Sequence, residues 1–339
     1  MPFIAGLRSV ALDVPDLARG EDFYARVWHL EVAARSDDAI YLRGSGTDHH
    51  LLSLPRASEL AIRHVTLRAR SVEALAQIAE RAVAASGRVD RPLCALADPA
   101  GSTGLCIADT DGRLIEIVHG DALDAAAPPS ADRPERLAHV VLNSHDVEAT
   151  QAFFERALGF VLADRTRIMA FMNCNADHDS VAIGVADNDC LSHIAFLMTD
   201  VDAVMRGAGR MRDAGFGIEW GPRRHGPGNN AFSYFVGPFS QVLEYTADVE
   251  QIDDSYRAGH PEDWSWPASR VDQWGISAPP SARLKQAQAS VRFARRPPAV
   301  QQRRHVPALD QRPLPLRAAP RHQPDGPDTA LDPTVRQSA

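Results

Sequence analysis

Leu137-Ala-His-Val-Val-Leu142 and Leu191-Ser-His-Ile-Ala-Phe196 decide the reading of this chain, because each is an apolar strand interrupted by a histidine that a buried strand does not require. Two further segments share the layout, Leu7-Arg-Ser-Val-Ala-Leu12 and Ile62-Arg-His-Val-Thr-Leu67, and an amphipathic helix pattern follows all four. One supersecondary unit recurring in this way indicates duplication. An offset of 130 residues superposes Phe23-Tyr24 on Phe153-Phe154 without a gap, so the first unit corresponds to the third.

Each unit reads as a strand, a helix and two or three more strands. The spacing of Leu17, Phe23, Tyr24 and Val27 predicts a helix over 17–30. Asp146 is the candidate N-cap of its counterpart, in which Val147, Phe153, Phe154, Ala157 and Leu158 share a face before Gly159 ends it. Ser71-Val-Glu-Ala-Leu and Asp200-Val-Asp-Ala-Val open the other two helices, which end near Ser86-Gly87 and Ala214-Gly215. Units two and four both close on a strand carrying a glutamate, Arg113-Leu-Ile-Glu-Ile-Val118 and Gln241-Val-Leu-Glu-Tyr-Thr246. The expected fold is therefore α+β, with four βαβββ modules paired into two tandem domains over 3–123 and 136–250. Asp124-Ala-Ala-Ala-Pro-Pro-Ser-Ala-Asp-Arg-Pro134 lies in the linker, 124–135, since its prolines stop either regular structure. Residues 251–280 form a covering segment, and 281–339, rich in proline and arginine with few periodic apolar positions, are expected to be a disordered tail.

Composition narrows the class. Of 339 residues, 45% are hydrophobic and 24% charged, a globular balance with no apolar run near the roughly 20 residues that span a bilayer. Met1-Pro-Phe-Ile-Ala-Gly-Leu-Arg runs straight into a strand without the layout of a signal peptide, so a cytoplasmic location is expected. From Arg283 onward eleven Lys and Arg stand against four Asp and Glu; the net charge of −8 thus hides a more acidic body, which argues against nucleic acid as a partner. Cys94, Cys106, Cys174 and Cys190 form no Cys-x-x-Cys pair and are expected to be buried thiols.

His139 and His193 occupy one position in two repeats, and Glu244 lies on the closing strand of the second. Two imidazoles and a carboxylate converging from facing strands would hold one face of a metal ion and leave the other open, as in non-haem Fe(II) sites. The first half has Ser9, His64 and Glu116 at these positions, lacks one ligand, and is expected to keep the other two in structural roles.

With these residues the chain resembles the type I extradiol ring-cleaving catechol dioxygenases of the vicinal oxygen chelate superfamily over about residues 3 to 280. The segment His225-Gly-Pro-Gly-Asn-Asn-Ala-Phe-Ser-Tyr234, with Pro238 and Glu244 after it, resembles the signature around the third ligand; Gly237 and Ser240 depart from it by replacing the usual Asp and Gly of a turn. The resemblance implies a degenerate first domain, and a second in which His139, His193 and Glu244 hold Fe(II), with Mn(II) also suited. It implies a catecholic substrate and O2 on the open face, and opening of the ring beside its hydroxyls in aromatic-compound degradation; a homo-oligomer is expected, and neither nucleic acid nor a membrane is expected as a partner. Asn175-Ala-Asp-His178-Asp-Ser-Val-Ala182 resembles the segment whose histidine performs acid–base work, a role carried to His178. His225 and Tyr234 fall on substrate-side hydrogen-bond donors. Trp220 stands where relatives that bind a substrate carboxylate have a basic residue, which favours an apolar or neutral ring substituent. Trp264, Trp266 and Trp274 resemble a stretch that covers the site, whereas Asn143 and His145 read as edge or capping residues. Two other readings stay open: a glyoxalase-type isomerase, which typically needs a second glutamate, and a metal-free protein that sequesters a small molecule.

Overall fold

The computed structural model describes residues 3–128, 132–267 and 271–294. The first half contains β1 (Ile4–Asp13), α1 (Leu17–Glu21), β2 (Glu31–Arg35), β3 (Ala39–Arg43), β4 (Leu52–Pro55), β5 (Ala61–Ala69), α2 (Val72–Ala84), β6 (Arg88–Leu96), β7 (Ser102–Ala108) and β8 (Leu114–His119). The second repeats it as β9 (Arg136–Ser144), α3 (Val147–Phe153), β10 (Val161–Arg165), β11 (Met169–Asn173), β12 (Val181–Val185), β13 (Leu191–Leu197), α4 (Val201–Asp213), β14 (Trp220–Arg224), β15 (Ala231–Val236) and β16 (Val242–Ala247). Each half is one eight-stranded sheet, ordered β2-β3-β4-β1-β5-β8-β7-β6 and β10-β11-β12-β9-β13-β16-β15-β14. The order is the same in both. In each, the opening strands of the two modules, β1 with β5 and β9 with β13, pair antiparallel at the centre.

Local chemistry sets the helices. Asp16, Ser71, Asp146 and Asp200 each accept a backbone N–H three residues on, at 2.7–3.3 Å, and so cap the four helices. The expected helix over 17–30 is α-helical only through Glu21 and widens into a π turn at Asp22–Val27; α3 does the same at Phe154–Leu158. A π turn has more residues per turn, and in each half it lets two consecutive aromatics, Phe23-Tyr24 and Phe153-Phe154, face the core together.

One apolar core runs through both halves. Trp28 stacks on Tyr245 at 3.8 Å between centroids and meets Phe196 and Phe235 edge-on, while Phe23 packs on Phe216. Truncating Trp28 would remove about 3–5 kcal/mol. Tyr245 Oη donates to the Trp28 carbonyl and Gln241 Nε2 to Tyr24 Oη, so buried hydrogen bonds also cross between the halves.

Two expectations need correction. The tail does not lose order at 281: α5 (Ala282–Ala287), capped by Ser281, buries Leu284 and Ala287 against Phe232, Tyr234 and Val242. Val291 then pairs with Leu191 of the second half and Phe293 with Ile62 of the first, stapling the two. So sparse a set of apolar positions carries no periodic signal, yet each finds a prepared surface. Residues 295–339, the rest of the expected tail, lie outside the described residues. Of the four thiols only Cys94 is exposed, on the edge strand β6.

Candidate metal centre

His139, His193 and Glu244 lie on β9, β13 and β16, three adjacent strands of the second sheet, and all three side chains are buried. In this register Ala195 lies between His139 and Glu244, so both of those side chains point to the same face. His139 Nε2 is 3.3 Å and His193 Nε2 3.1 Å from Glu244 Oε2. That oxygen is buried and makes no hydrogen bond, although two nitrogens stand beside it. A cation bound at about 2.0–2.2 Å from each atom needs neighbouring ligands about 3 Å apart, which these distances meet. The three groups each offer an atom within 4.8 Å of the others. The residues present thus fit a divalent metal.

Around them lies a polar shell. Glu244 Oε1 accepts from Asn230 Nδ2, which also bonds Thr246. Tyr234 Oη is 3.2 Å from His193 Nε2 and 3.5 Å from His225 Nε2, so Tyr234 touches the triad directly and His225 reaches it through Tyr234. Burial, with Glu244 adding to it, pushes the Tyr234 phenol well up and keeps it a donor. Burial also lowers His225 to about 4, leaving it neutral; its ring stacks on Phe232 at 3.8 Å.

His178 is fully buried, and carboxylates engage both its nitrogens: Nε2 on Asp164 at 2.6 Å and Nδ1 on Asp179 at 3.2 Å. Burial opposes its protonation, but Asp164 and Asp179 outweigh it and raise the group to about 9. Neither nitrogen is free toward the triad. Of these three residues it is Asp179 that lies beside the triad, with Oδ2 3.6 Å from His139 Nδ1. Sequence reading passed over it. Comparison of the repeats held the signal, because Asp177-His178-Asp179 corresponds to Asp48-His49-His50.

The loop between β14 and β15 is closed by His225 N–H on the Asn230 carbonyl, and a Cβ at Gly226 would lie 2.5 Å from Trp266. Trp266 and Trp264 therefore pack on the signature loop, and Arg224 lies over Trp274. The turn before β16 survives its two departures. Ser240 takes φ +73°, and the Gln241 side chain folds over Gly237 to accept the Phe239 N–H. Asn143 bonds Asn188 and the Gln288 carbonyl, and His145 pairs with Asp189. Asp111, His145 and Asp189 form a second grouping, but Arg113 already lies 2.8 and 3.2 Å from its two carboxylates.

A family profile described as "Glyoxalase/Bleomycin resistance protein/Dioxygenase superfamily" matches residues 6–117 and again 136–245. Metapyrocatechase 2 of Cupriavidus necator is 29% identical over 206 residues, 52% of this chain and 62% of that protein. Metapyrocatechase of Pseudomonas sp. (strain CF600) is 30% identical over 113 residues, 31% of this chain and 37% of that protein. The matches thus span less than two thirds of either relative. Among solved structures, a Mn(II)-bound glyoxalase from Novosphingobium aromaticivorans is 32% identical with a TM-score of 0.78, covering 88% of this chain and 97% of that one. A variant of homoprotocatechuate 2,3-dioxygenase from B. fuscum has a TM-score of 0.73 at 23% identity, covering 81% and 79%, and shows the shared fold.

Proposed function

Because the chain belongs to the glyoxalase/bleomycin resistance protein/dioxygenase superfamily, we propose that its second half is an extradiol dioxygenase site that opens a catecholic ring with O2. The observation that carries the reading is the orphaned Glu244 oxygen with two imidazole nitrogens about it. His139, His193 and Glu244 would hold Fe(II), or Mn(II), which when bound supplies Lewis acidity and a template for both reactants. The relatives named metapyrocatechase support the catechol, and the Mn(II)-bound neighbour supports a divalent metal.

The chain's own groups then have defined work. Tyr234, kept a phenol, donates to a substrate oxygen and steadies charge on it. Neutral His225, within reach of Tyr234 Oη, helps to orient that hydroxyl. His178 is the proposed acid–base group; both its nitrogens stand on carboxylates, so acting on substrate requires one of them to leave its carboxylate. The indoles of Trp264 and Trp266, against the Gly226 backbone, keep water from that side. Arg223 is paired with Asp272, and Arg224 with Asp248, so the arginines of the signature strand are committed. A catechol with an apolar or neutral substituent suits such a wall better than a carboxylated one.

The test is direct. Anaerobic protein given Fe(II) and catechol, then air, is expected to consume O2 and form a ring-fission chromophore, and His139→Ala to lose both. Persistent turnover in that variant would overturn the assignment. The name of the Novosphingobium neighbour makes isomerisation the second reading. Product formed from an α-hydroxycarbonyl substrate without O2 uptake would favour it. The absence of a second glutamate from the triad speaks for the dioxygenase.

A further inference from the structure

We propose that Asp179 is the positioning residue of His139, held in place by a buried chain through His178 and Asp164 to Tyr256 of the covering segment; this rests on the reading of His139 as a metal ligand. An imidazole that gives Nε2 to a metal carries its proton on Nδ1, and that N–H needs an acceptor to fix the ring's tautomer and direction. His139 Nδ1 is buried and has no hydrogen-bond partner, and Asp179 Oδ2 stands 3.6 Å from it. No aliphatic residue placed there could serve.

The other end of Asp179 is fixed. Its Oδ1 accepts from His178 Nδ1 at 3.2 Å, and His178 Nε2 donates to Asp164 Oδ2 at 2.6 Å. Asp164, fully buried, also accepts the Tyr256 hydroxyl at 3.0 Å and the Gly259 N–H at 2.6 Å. Gly228 closes the opposite side: a Cβ there would lie 3.1 Å from His178 Nδ1 and 3.6 Å from Asp179 Oδ1. A continuous line of polar groups therefore joins the triad to residues 256–259, making metal retention sensitive to the covering segment. The first half supplies the contrast. His50 holds the position of Asp179 there, and its Nε2 contacts the guanidinium of Arg8 at 2.7 Å instead of an imidazole ligand.

Full-length apoprotein titrated with Mn(II), with free ion followed by its paramagnetic resonance signal, measures the effect apart from turnover. Asp179→Ala is expected to bind Mn(II) about 10–100-fold more weakly than the unmodified protein. Asp179→Asn keeps an acceptor oxygen but not the charge, and should fall between the two, about fivefold weaker. Tyr256→Phe, at the far end, should cost about twofold. Wild-type affinity in Asp179→Ala overturns the proposal, as do equal affinities in the Asn and Ala variants, since an acceptor then makes no difference. If Asp179→Ala fails to fold, wild-type affinity in Asp179→Asn overturns it alone. His139→Ala separates the two claims: it should abolish tight binding, and if it does not, the metal-centre reading itself has failed.

Discussion

The two halves have the same strand order and nearly the same register, yet they neutralise the same glutamate by different means. Across the second sheet one row of positions reads Trp220, Tyr234, Glu244, Ala195, His139; across the first it reads Arg91, Cys106, Glu116, Thr66, Ser9. In the second half imidazoles surround an oxygen that lacks a hydrogen bond. In the first, Arg91 reaches across to Glu116 at 2.5 Å, with His64 at 3.5 Å. Arg8, 1% exposed, fills the space over Ser9 and pairs with Asp98 and Asp121. The cavity left is about 180 Å³, lined from β1, β3, β4, β5, β6 and β8. Covalently tethered cations have taken the place that a bound one fits in the other half. The shared framework thus holds a glutamate whose charge is balanced from within in the first half and stands among groups that fit an ion in the second.

That contrast breaks most sharply at the paired glutamates. Glu244→Gln should weaken divalent-metal binding more than about 100-fold, beyond what loss of an outer partner costs, and turnover should fall with it. Glu116→Gln should leave metal stoichiometry and turnover unchanged and instead lower stability by about 1–3 kcal/mol. The lower figure suits it because Arg91 is partly exposed and screened. Metal analysis beside denaturant unfolding separates the two outcomes. If Glu116→Gln lost the metal, the halves would not be divided as described. Ser9→His sharpens the point: restoring the missing imidazole should not yield a second bound metal per chain, because Arg8 and Arg91 remain. Overpacking at this buried position should cost about 1–3 kcal/mol.

Much of this division is legible in the sequence. His139, His193 and Glu244 announce themselves because equivalent strand positions repeat, and strand alternation puts them on one face without knowledge of the rest. Arg91 and Arg8 do not, since nothing local says that an arginine on an edge strand turns inward to a glutamate 25 residues away. Asp179 was hidden by its neighbour: His178 is the residue type that draws notice, but the chain turn sends it to Asp164, and the carboxylate faces the triad. The π turns and α5 were illegible for another reason. α5 rests on a patch of β15 and β16 that only the folded second sheet presents, and the first π turn packs across to the other half, so periodicity within a short window cannot carry them.

Acid and alkali should act on opposite halves. Burial, helped by the Arg8 charge, depresses His50 from 6.5 to about 2. It stays neutral in the fold while the unfolded chain protonates, so its half is destabilised as pH falls below about 6.5. His178 is raised to about 9 by Asp164 and Asp179, against the effect of burial. Its contribution is fully present below about 6.5 and is lost as pH rises through about 9. Unfolding midpoints from pH 5 to pH 9 would show both signs. Relative to the unmodified protein, His50→Gln should gain on the acid side, and His178→Gln should converge with it on the alkaline side. A flat difference for either variant would remove that histidine from the account.

The smallest expected effect lies in the turn before the glutamate strand, where the halves differ by a methylene and a hydroxyl. Gly112 takes φ +87° in the first half and Ser240 φ +73° at the corresponding place in the second, a region in which a side chain costs roughly 1–2 kcal/mol. The first turn is also capped by Asp109, whose Oδ1 accepts the Asp111 and Arg113 N–H groups; Gly237 stands there in the second, and the Gln241 amide does part of that work. Ser240→Gly should relieve the strain and return a net gain of about 0.5–1 kcal/mol after glycine's greater loss of freedom. Gly112→Ser should lose about as much. Because Ser240 lies four residues before Glu244, unchanged Mn(II) affinity in the stabilised variant would show that the turn only anchors the strand. A shift in affinity together with stability would show instead that the strained turn helps to set where the carboxylate stands.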